Sequence, residues 1–117
     1  MAAHTHELDA FREDRDRLNA LVLGEGNLTI NRFFNLDTRA YEGGALDAST
    51  KELLGLVASM VLRCDDCITY HVIRCIEEGV TRDQVVEAFG VALVVGGSIV
   101  IPHLRRAMAR LEELTGV

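Results

Sequence analysis

The stretch STKELLGLVASMVLRCDDCITYH, residues Ser49–His71, decides the fold that we predict for this chain. Its first part, LLGLVASMVL, is apolar on every face, which is typical of a helix buried inside a fold or between subunits. Ser49 to Glu52 fit a capping box, in which a hydroxyl and a carboxylate each satisfy a free backbone N–H. We therefore expect one helix from Ser49 to about Arg63, and a second from the cysteines to Gly79, a favourable residue just past a helix end.

Two further helices are predicted before this stretch. An apolar stripe over residues 7–23 indicates the first, and Gly24 follows it. The second lies within residues 29–41. The side chains that we expect to be buried there are Leu8, Phe11, Leu18, Leu21 and Val22 in the first helix, and Ile30, Phe33, Phe34 and Leu36 in the second.

Two more helices are predicted after it. Thr81 to Gln84 form a second capping-box pattern, which opens a helix through about Val95. Gly96 and Gly97 interrupt this helix, and Pro102 suits the first turn of a last one. The buried face of the last helix is expected to hold Leu104, Met108 and Leu111. The sum is an all-α chain of about six helices.

Composition limits the function. A length of 117 residues predicts one domain over residues 1–117, and 49% hydrophobic residues are enough for a core. The net charge of −6 argues against a nucleic-acid partner. The longest uncharged run is shorter than the roughly 20 residues of a membrane-spanning helix, and the N-terminal residues lack a secretory layout. An odd cysteine count without such a signal indicates a reducing, cytoplasmic location.

Two of the helices, those of LLGLVASMVL and VVEAFGVALVV, are apolar on nearly all sides. A small domain has little interior in which to bury both of them. We therefore expect a homo-oligomer with a large apolar interface, while a well-packed monomer is the alternative.

Cys64 and Cys67 stand three residues apart at a predicted helix start, so their sulfurs face the same side of the first turn. A helix N-terminus favours a thiolate through its partial positive charge and its free N–H groups. Asp65 and Asp66 can cap the helix, but their negative charge also disfavours a thiolate. The spacing predicts a dithiol/disulfide pair.

His71 lies one helical turn beyond Cys67 on the same face. Its imidazole could accept the proton of the thiol or stabilise the thiolate. A structural role, as a buried histidine bonded to a backbone carbonyl, is the alternative. Because a nucleophile and a base within one turn are the expected arrangement for thiol chemistry, we favour the functional interpretation.

A metal site is the competing interpretation of the same residues. Cys75 is separated from Cys67 by roughly 12 Å along a helix, whereas two sulfurs on one zinc ion lie within about 4.6 Å. We therefore read Cys75 as a buried apolar residue. A site of Cys64, Cys67 and His71, completed by Glu52 or water, stays open at this point. We predict no metal and no cofactor.

The motif Glu52, eleven residues, Cys64-x-x-Cys67, three residues and His71 resembles that of alkylhydroperoxidase D and its relatives in the carboxymuconolactone decarboxylase superfamily. The segments GALDASTKELLGLVASMVLRCDDCITYH and GVTRDQVVEAFGVALVVGG resemble the family as well. The resemblance covers roughly half of the chain. Where alkylhydroperoxidase D has a second histidine, directly before the second cysteine, this chain has Asp66.

The resemblance implies an alkylhydroperoxidase D-like all-α fold that assembles as a homotrimer or homohexamer. It implies a peroxidase or disulfide reductase of antioxidant defence, with a lipoyl or thioredoxin-type protein as dithiol reductant and a small hydroperoxide or disulfide as substrate. Carried over, Glu52 and His71 are the proton relay, Cys67 attacks, and Cys64 is its partner. The residues alone do not decide which cysteine reacts first.

Two other functions compete with this one. The first is 4-carboxymuconolactone decarboxylation in aromatic catabolism, for which Arg74, Arg105 or Arg106 could hold a dicarboxylate, although solvation at the surface suits each better. The second is a redox-sensitive oligomeric module without turnover. For Glu52, a plain antiparallel hairpin of the two helices predicts an axial offset from His71 of roughly 9 Å, and the capping box gives it another role.

Overall fold

The computed structural model describes residues 6–116 of the chain, and all secondary structure within them is helical. Residues 1–5 and 117 lie outside this range. The domain predicted over residues 1–117, and the N-terminal stretch that lacks a secretory layout, therefore lie partly outside the described residues. The chain divides into two compact units, Met1–Glu42 and Gly43–Val117, which are described separately. Within the described residues, no helix is both long and apolar enough to cross a membrane.

The first unit contains two helices, α1 (His6–Gly24) and α2 (Leu28–Ala40). The side-chain oxygen of Asn27 accepts a hydrogen bond from the N–H of Ile30 at 3.0 Å and caps α2. Both helices therefore lie where the sequence predicts them, to within a residue or two.

The second unit contains four α-helices and a short 3-10 turn, Ser98–Val100. The helix α3 packs against α4 and α5, and α6 packs against α4 and α5 in turn. The bounds of these helices are α3 (Ala48–Leu62), α4 (Asp65–Glu77), α5 (Arg82–Gly96) and α6 (Ile101–Thr115). The prediction of an all-α chain of six helices is confirmed.

The predicted signals at the ends of these helices have mixed outcomes. The capping box of α5 is confirmed, since Thr81 and Gln84 exchange side-chain and backbone hydrogen bonds. Pro102 lies in the first turn of α6 as expected. The capping box at Ser49 is wrong, because α3 begins one residue earlier and Asp47 is its N-cap. The carboxylate of Asp47 accepts the N–H of Thr50 at 2.8 Å.

The core of the second unit is contributed by all four of its helices. Phe89 of α5 and Leu56 of α3 are among its largest fully buried side chains, and Leu111 of α6 is buried as predicted. Leu104 and Met108 are half-buried and pack against this core. The core holds Leu56, Met60, Ile68, Val72, Cys75, Val80, Val85, Phe89, Ala92, Val100, Ala107 and Leu111.

Many large apolar side chains are exposed in the single chain. The burial predicted for the apolar residues of α2 is wrong. Within α2 no residue is buried, and Phe33 is 65% exposed. In α1 the stripe from Leu18 to Val22 is exposed as well, whereas Leu8 is buried. On α5, Val94 is 85% exposed. The periodicity identified apolar faces correctly, but an apolar face is buried only where a neighbouring helix covers it.

Candidate functional site

The cysteine pair lies at the junction of α3 and α4. Arg63 ends α3 in the left-handed conformation, with φ 61°, and the N–H of Cys64 donates to the carbonyl of Ser59. This closing pattern is common at helix ends, and only Arg63 and Cys64 separate α3 from α4. Cys64 is therefore the N-cap of α4, directly after the turn.

The structure joins Cys64 and Cys67 in a disulfide, with their Cα atoms 5.3 Å apart. The Sγ atom of Cys64 accepts a hydrogen bond from the N–H of Cys67 at 3.3 Å. Sulfur thus takes the role that a hydroxyl or carboxylate oxygen usually has at a helix N-cap. The sequence allowed Asp65 or Asp66 to be the N-cap, but both lie in the first turn of α4. Cys67 is exposed and Cys64 is half-buried.

Glu52 and His71 form a direct contact between α3 and α4. Oε1 of Glu52 and Nδ1 of His71 are 2.9 Å apart, and both residues are buried. A carboxylate only accepts, so Nδ1 carries the proton and donates it. In a neutral imidazole this arrangement leaves Nε2 as the basic nitrogen. Glu52 and His71 thus contact each other directly, which the axial offset of roughly 9 Å predicted by a plain antiparallel hairpin would not allow.

Arg74 extends this pair toward the surface. Its Nε lies 3.5 Å from Oε2 of Glu52, and its two terminal nitrogens bond Glu77 and Glu78 at 2.8 Å each. The hydrogen bond to Glu77, with those to Glu78 and the charge of Glu52, outweighs partial burial and raises the pKa of Arg74 above its usual value. Arg74 thus forms ion pairs with three carboxylates of the same chain, those of Glu52, Glu77 and Glu78.

A second polar network joins the start of α4 to α6. Nδ1 of His103 lies 2.8 Å from Oδ1 of Asp65, and Nε of Arg106 donates to Oδ2 of the same carboxylate at 3.1 Å. A terminal nitrogen of Arg106 also lies 3.3 Å from Nδ1 of His103. Because the carboxylate can only accept, the shorter contact makes Nδ1 the donor to Asp65. Asp65 is thereby held from both oxygens.

Two opposing effects act on the carboxyl group of Asp65. Partial burial raises its pKa, while the hydrogen bonds from His103 and Arg106 and the charges of both lower it by more. The pKa of Asp65 therefore lies below its ordinary value, and the residue next to Cys64 is a paired carboxylate.

Cys75 is fully buried in the core of the second unit. Burial, with the charge of Glu52 as a further cause, raises the pKa of its thiol to about 12. Its placement matches the expectation of a small apolar core residue. Over residues 6–116, no group of three or more histidine, cysteine or acidic residues has the geometry to hold a metal ion.

The structure therefore brings the four predicted site residues together as two pairs. Cys64 bonds Cys67, Glu52 bonds His71, and α4 connects the pairs, with His71 one turn beyond Cys67.

Sequence reasoning missed His103. Its spacing of three from Arg106 indicates a shared helix face, but nothing in that spacing indicates that the face meets Asp65.

The carboxymuconolactone decarboxylase family matches residues 29–110 of the chain. A curated relative from Paracoccus denitrificans, "Uncharacterized protein 4 in cox locus", is 34% identical over 84 residues, which are 72% of this chain and 76% of that protein. The family match includes all four predicted site residues and most of the second unit.

Solved structures agree with this match. A crystal structure of the Thermotoga maritima protein TM1620 is 60% identical, with a TM-score of 0.89, and covers 92% of this chain and 94% of that one. A second structure of TM1620, with a TM-score of 0.87 and 59% identity over 92% of this chain and 91% of that one, presents it as a carboxymuconolactone decarboxylase family protein with a suggested part in the antioxidative response. The apo form of a family protein from Legionella pneumophila is 26% identical, with a TM-score of 0.84, over 93% of this chain and 97% of that one. This chain therefore belongs to the carboxymuconolactone decarboxylase family.

Proposed function

We propose that this protein is a thiol-dependent peroxidase or disulfide reductase of antioxidant defence, which cycles between a Cys64–Cys67 dithiol and its disulfide. The observation that carries the proposal is the placement of this disulfide at the start of the helix that also presents His71, hydrogen-bonded to a buried Glu52. The antioxidative role suggested for the similar Thermotoga maritima protein agrees with it.

In the oxidative half-reaction, the thiolate of Cys67 attacks the terminal oxygen of a hydroperoxide. The O–O bond breaks, an alcohol leaves after taking up a proton, and Cys67 becomes a sulfenic acid. The sulfur of Cys64 then attacks the sulfenic sulfur, water leaves, and the disulfide forms. The exposure of Cys67 supports its assignment as the sulfur that meets the peroxide.

His71 is the proposed proton carrier of both steps. With Nδ1–H donating to Glu52, Nε2 can accept the thiol proton and return it to the leaving oxygen. The buried carboxylate orients the ring and stabilises the imidazolium that forms in between. Glu52 thus acts through His71 and not on the substrate.

The reductive half-reaction needs a dithiol, for which we propose a lipoyl or thioredoxin-type protein. One thiolate of the reductant attacks the disulfide and forms a mixed disulfide, and its second thiol then displaces the cysteine of this chain. Two electrons pass from the reductant, which leaves as a disulfide. We also propose a homotrimer or homohexamer as the working form, because the exposed apolar side chains would be covered by further subunits.

The test is steady-state consumption of hydrogen peroxide and of an organic hydroperoxide with dihydrolipoamide as the reductant. We expect turnover in the parent protein and none in Cys67→Ser, because serine cannot form the sulfenic acid or the disulfide. Cys75→Ser is the matched control, and it should keep its activity because Cys75 lies outside the pair. Full activity of Cys67→Ser would refute the mechanism.

Two further measurements on the same protein distinguish the competing functions. Release of carbon dioxide from 4-carboxymuconolactone by a Cys64→Ala, Cys67→Ala double variant would identify a decarboxylase. A change of oligomeric state on oxidation, with no turnover of peroxide or disulfide, would identify a redox-sensitive module.

A further inference from the structure

The residue that follows Cys64 is tied to a different helix. Asp65 accepts from Nδ1 of His103 at 2.8 Å and from Nε of Arg106 at 3.1 Å, and both partners belong to α6, 38 and 41 residues further along the chain. The side chain of His103 is only 17% exposed. The contact fixes the first turn of α4, and it changes the charge beside the cysteine pair.

The charged groups around this turn come from three elements. The turn and α4 contribute Arg63, Asp65 and Asp66, whereas Glu52 of α3 bonds His71 further along α4. From α6 come the permanent cation of Arg106 and the titratable imidazole of His103. Without α6, two adjacent aspartates would oppose a thiolate at the helix N-terminus. With α6, the charge of Asp65 is balanced by a cation that bonds it directly.

We propose that His103 and Arg106 are positioning residues for the cysteine pair: they hold and neutralise Asp65, so that Cys64 can exist as a thiolate at the N-cap of α4. The inference rests on the proposed function of Cys64 and Cys67 as a redox pair. It assigns a catalytic purpose to two side chains on a helix that carries none of the four predicted site residues.

The step that this arrangement serves is the opening of the disulfide. Cys67 is exposed and Cys64 is half-buried, so an incoming thiolate reaches the sulfur of Cys67. The S–S bond breaks, a new S–S bond forms between the reductant and Cys67, and the electron pair leaves on Cys64. The N–H of Cys67, 3.3 Å from Cys64 Sγ, and the neutralised Asp65 stabilise the sulfur that leaves. A more stable leaving thiolate makes this step faster.

The experiment measures the pKa of Cys64 from the pH dependence of its alkylation in the reduced, full-length protein, with each thiol followed by mass spectrometry. Arg106→Ala should raise that pKa by about half a unit at low ionic strength, because it exposes the charge of Asp65. The shift should shrink in 1 M salt, where charges are screened beyond about 3 Å. Arg105→Ala is the matched control, since this exposed neighbour does not bond Asp65, and it should leave the pKa of Cys64 unchanged.

Compensating variants separate charge from structure. The double variant Asp65→Asn, Arg106→Ala removes the anion together with its partner, so the pKa of Cys64 should return to that of the parent protein. Arg106→Lys keeps the charge and should shift the pKa less than alanine does. His103→Ala should also raise the pKa of Cys64, because it removes the N–H that Asp65 accepts from Nδ1. A role limited to helix packing would leave the double variant as perturbed as the single one.

The reduction potential of the Cys64–Cys67 pair gives an independent reading by equilibration with glutathione buffers. A stabilised Cys64 thiolate favours the reduced form, so Arg106→Ala should lower the potential relative to Arg105→Ala. Unchanged thiol pKa and potential in Arg106→Ala would overturn the inference. These measurements do not depend on peroxide turnover, so shifts in a protein without turnover would uphold the positioning role while the proposed function failed.

Discussion

Oε1 of Glu52 lies 2.9 Å from Nδ1 of His71, although the two residues are 19 positions apart and belong to different helices. Glu52 is 1% exposed, and within the described residues its second oxygen meets Arg74 at 3.5 Å. A buried carboxylate is tolerated only when donors surround it. The contact therefore ties the stability of the α3–α4 pair to the group that we propose for proton transfer.

Replacement of Glu52 by alanine tests both consequences of this contact. We expect the free energy of unfolding to fall by about 2–3 kcal/mol, because His71 and Arg74 lose their buried acceptor. We also expect peroxide turnover to fall by about tenfold or more, because nothing then orients the imidazole. Urea unfolding followed by circular dichroism measures the first effect, and the dihydrolipoamide-coupled assay measures the second.

Glu52→Gln is the control that separates stability from chemistry. Glutamine keeps the shape and one acceptor oxygen, so it should cost less stability than alanine, while the lost charge still slows turnover. If Glu52→Ala left both the unfolding free energy and the turnover unchanged, the contact would have neither role.

Local patterns of the sequence predicted most of the helices. The C-terminal end of α4 was predicted from Gly79, and the start of α5 from Thr81 and Gln84. These residues act within one helical turn, so their effect does not depend on the rest of the fold. Ser49 is not the N-cap, because Asp47, two residues earlier, takes that position and accepts the N–H of Thr50. The hydroxyl of Ser49 instead donates to the same carboxylate at 3.0 Å.

Contacts between helices could be predicted only in part. Spacing along the chain predicted the pairing of Cys64 with Cys67, and it places His71 one turn beyond Cys67 on the same helix. Whether Glu52 reaches His71 depends on how α3 and α4 cross, and the plain hairpin gave the wrong answer. The contact of His103 with Asp65 has no local signal, because it depends on where α6 packs.

Cys75 should be the one unreactive thiol of the reduced, folded protein. Its burial raises its pKa to about 12, so almost no thiolate is present near neutral pH. We expect iodoacetamide at pH 8 to modify Cys64 and Cys67 within minutes, and Cys75 only after denaturant is added, as read by intact-protein mass spectrometry. Equal modification rates at all three cysteines would contradict its burial.

The lowered pKa of Asp65 predicts that the free energy of unfolding falls in acid. Its folded-state pKa lies below the ordinary value of 3.8, so around that pH the unfolded chain binds more protons than the folded one. Its contribution is therefore complete above the unfolded pKa and is lost as the pH falls through the folded one. Urea unfolding between pH 2.5 and 6 should show a shallower acid decline for Asp65→Asn than for the parent protein.

The partners of Asp65 provide the control for this prediction. Arg106→Ala removes one of the groups that lower the pKa of Asp65, so it should also make the acid decline shallower, whereas Arg105→Ala should not. Parallel acid declines for the parent protein, Asp65→Asn and Arg106→Ala would show that the network contributes no pH-dependent stability.

Gly96, at the end of α5, should not tolerate a side chain. A Cβ atom there would lie 2.5 Å from Cγ2 of Val100, which is fully buried and stiff at χ1. We expect Gly96→Ala to lower the free energy of unfolding by about 1–3 kcal/mol through overpacking. Gly90 of the same helix is the matched control, since a Cβ there meets nothing within 4 Å. Gly90→Ala should raise stability by about 0.5–1 kcal/mol, because alanine favours a helix interior. If both variants shifted the urea midpoint in the same direction, the close packing of Gly96 against Val100 would not control the junction of α5 and α6.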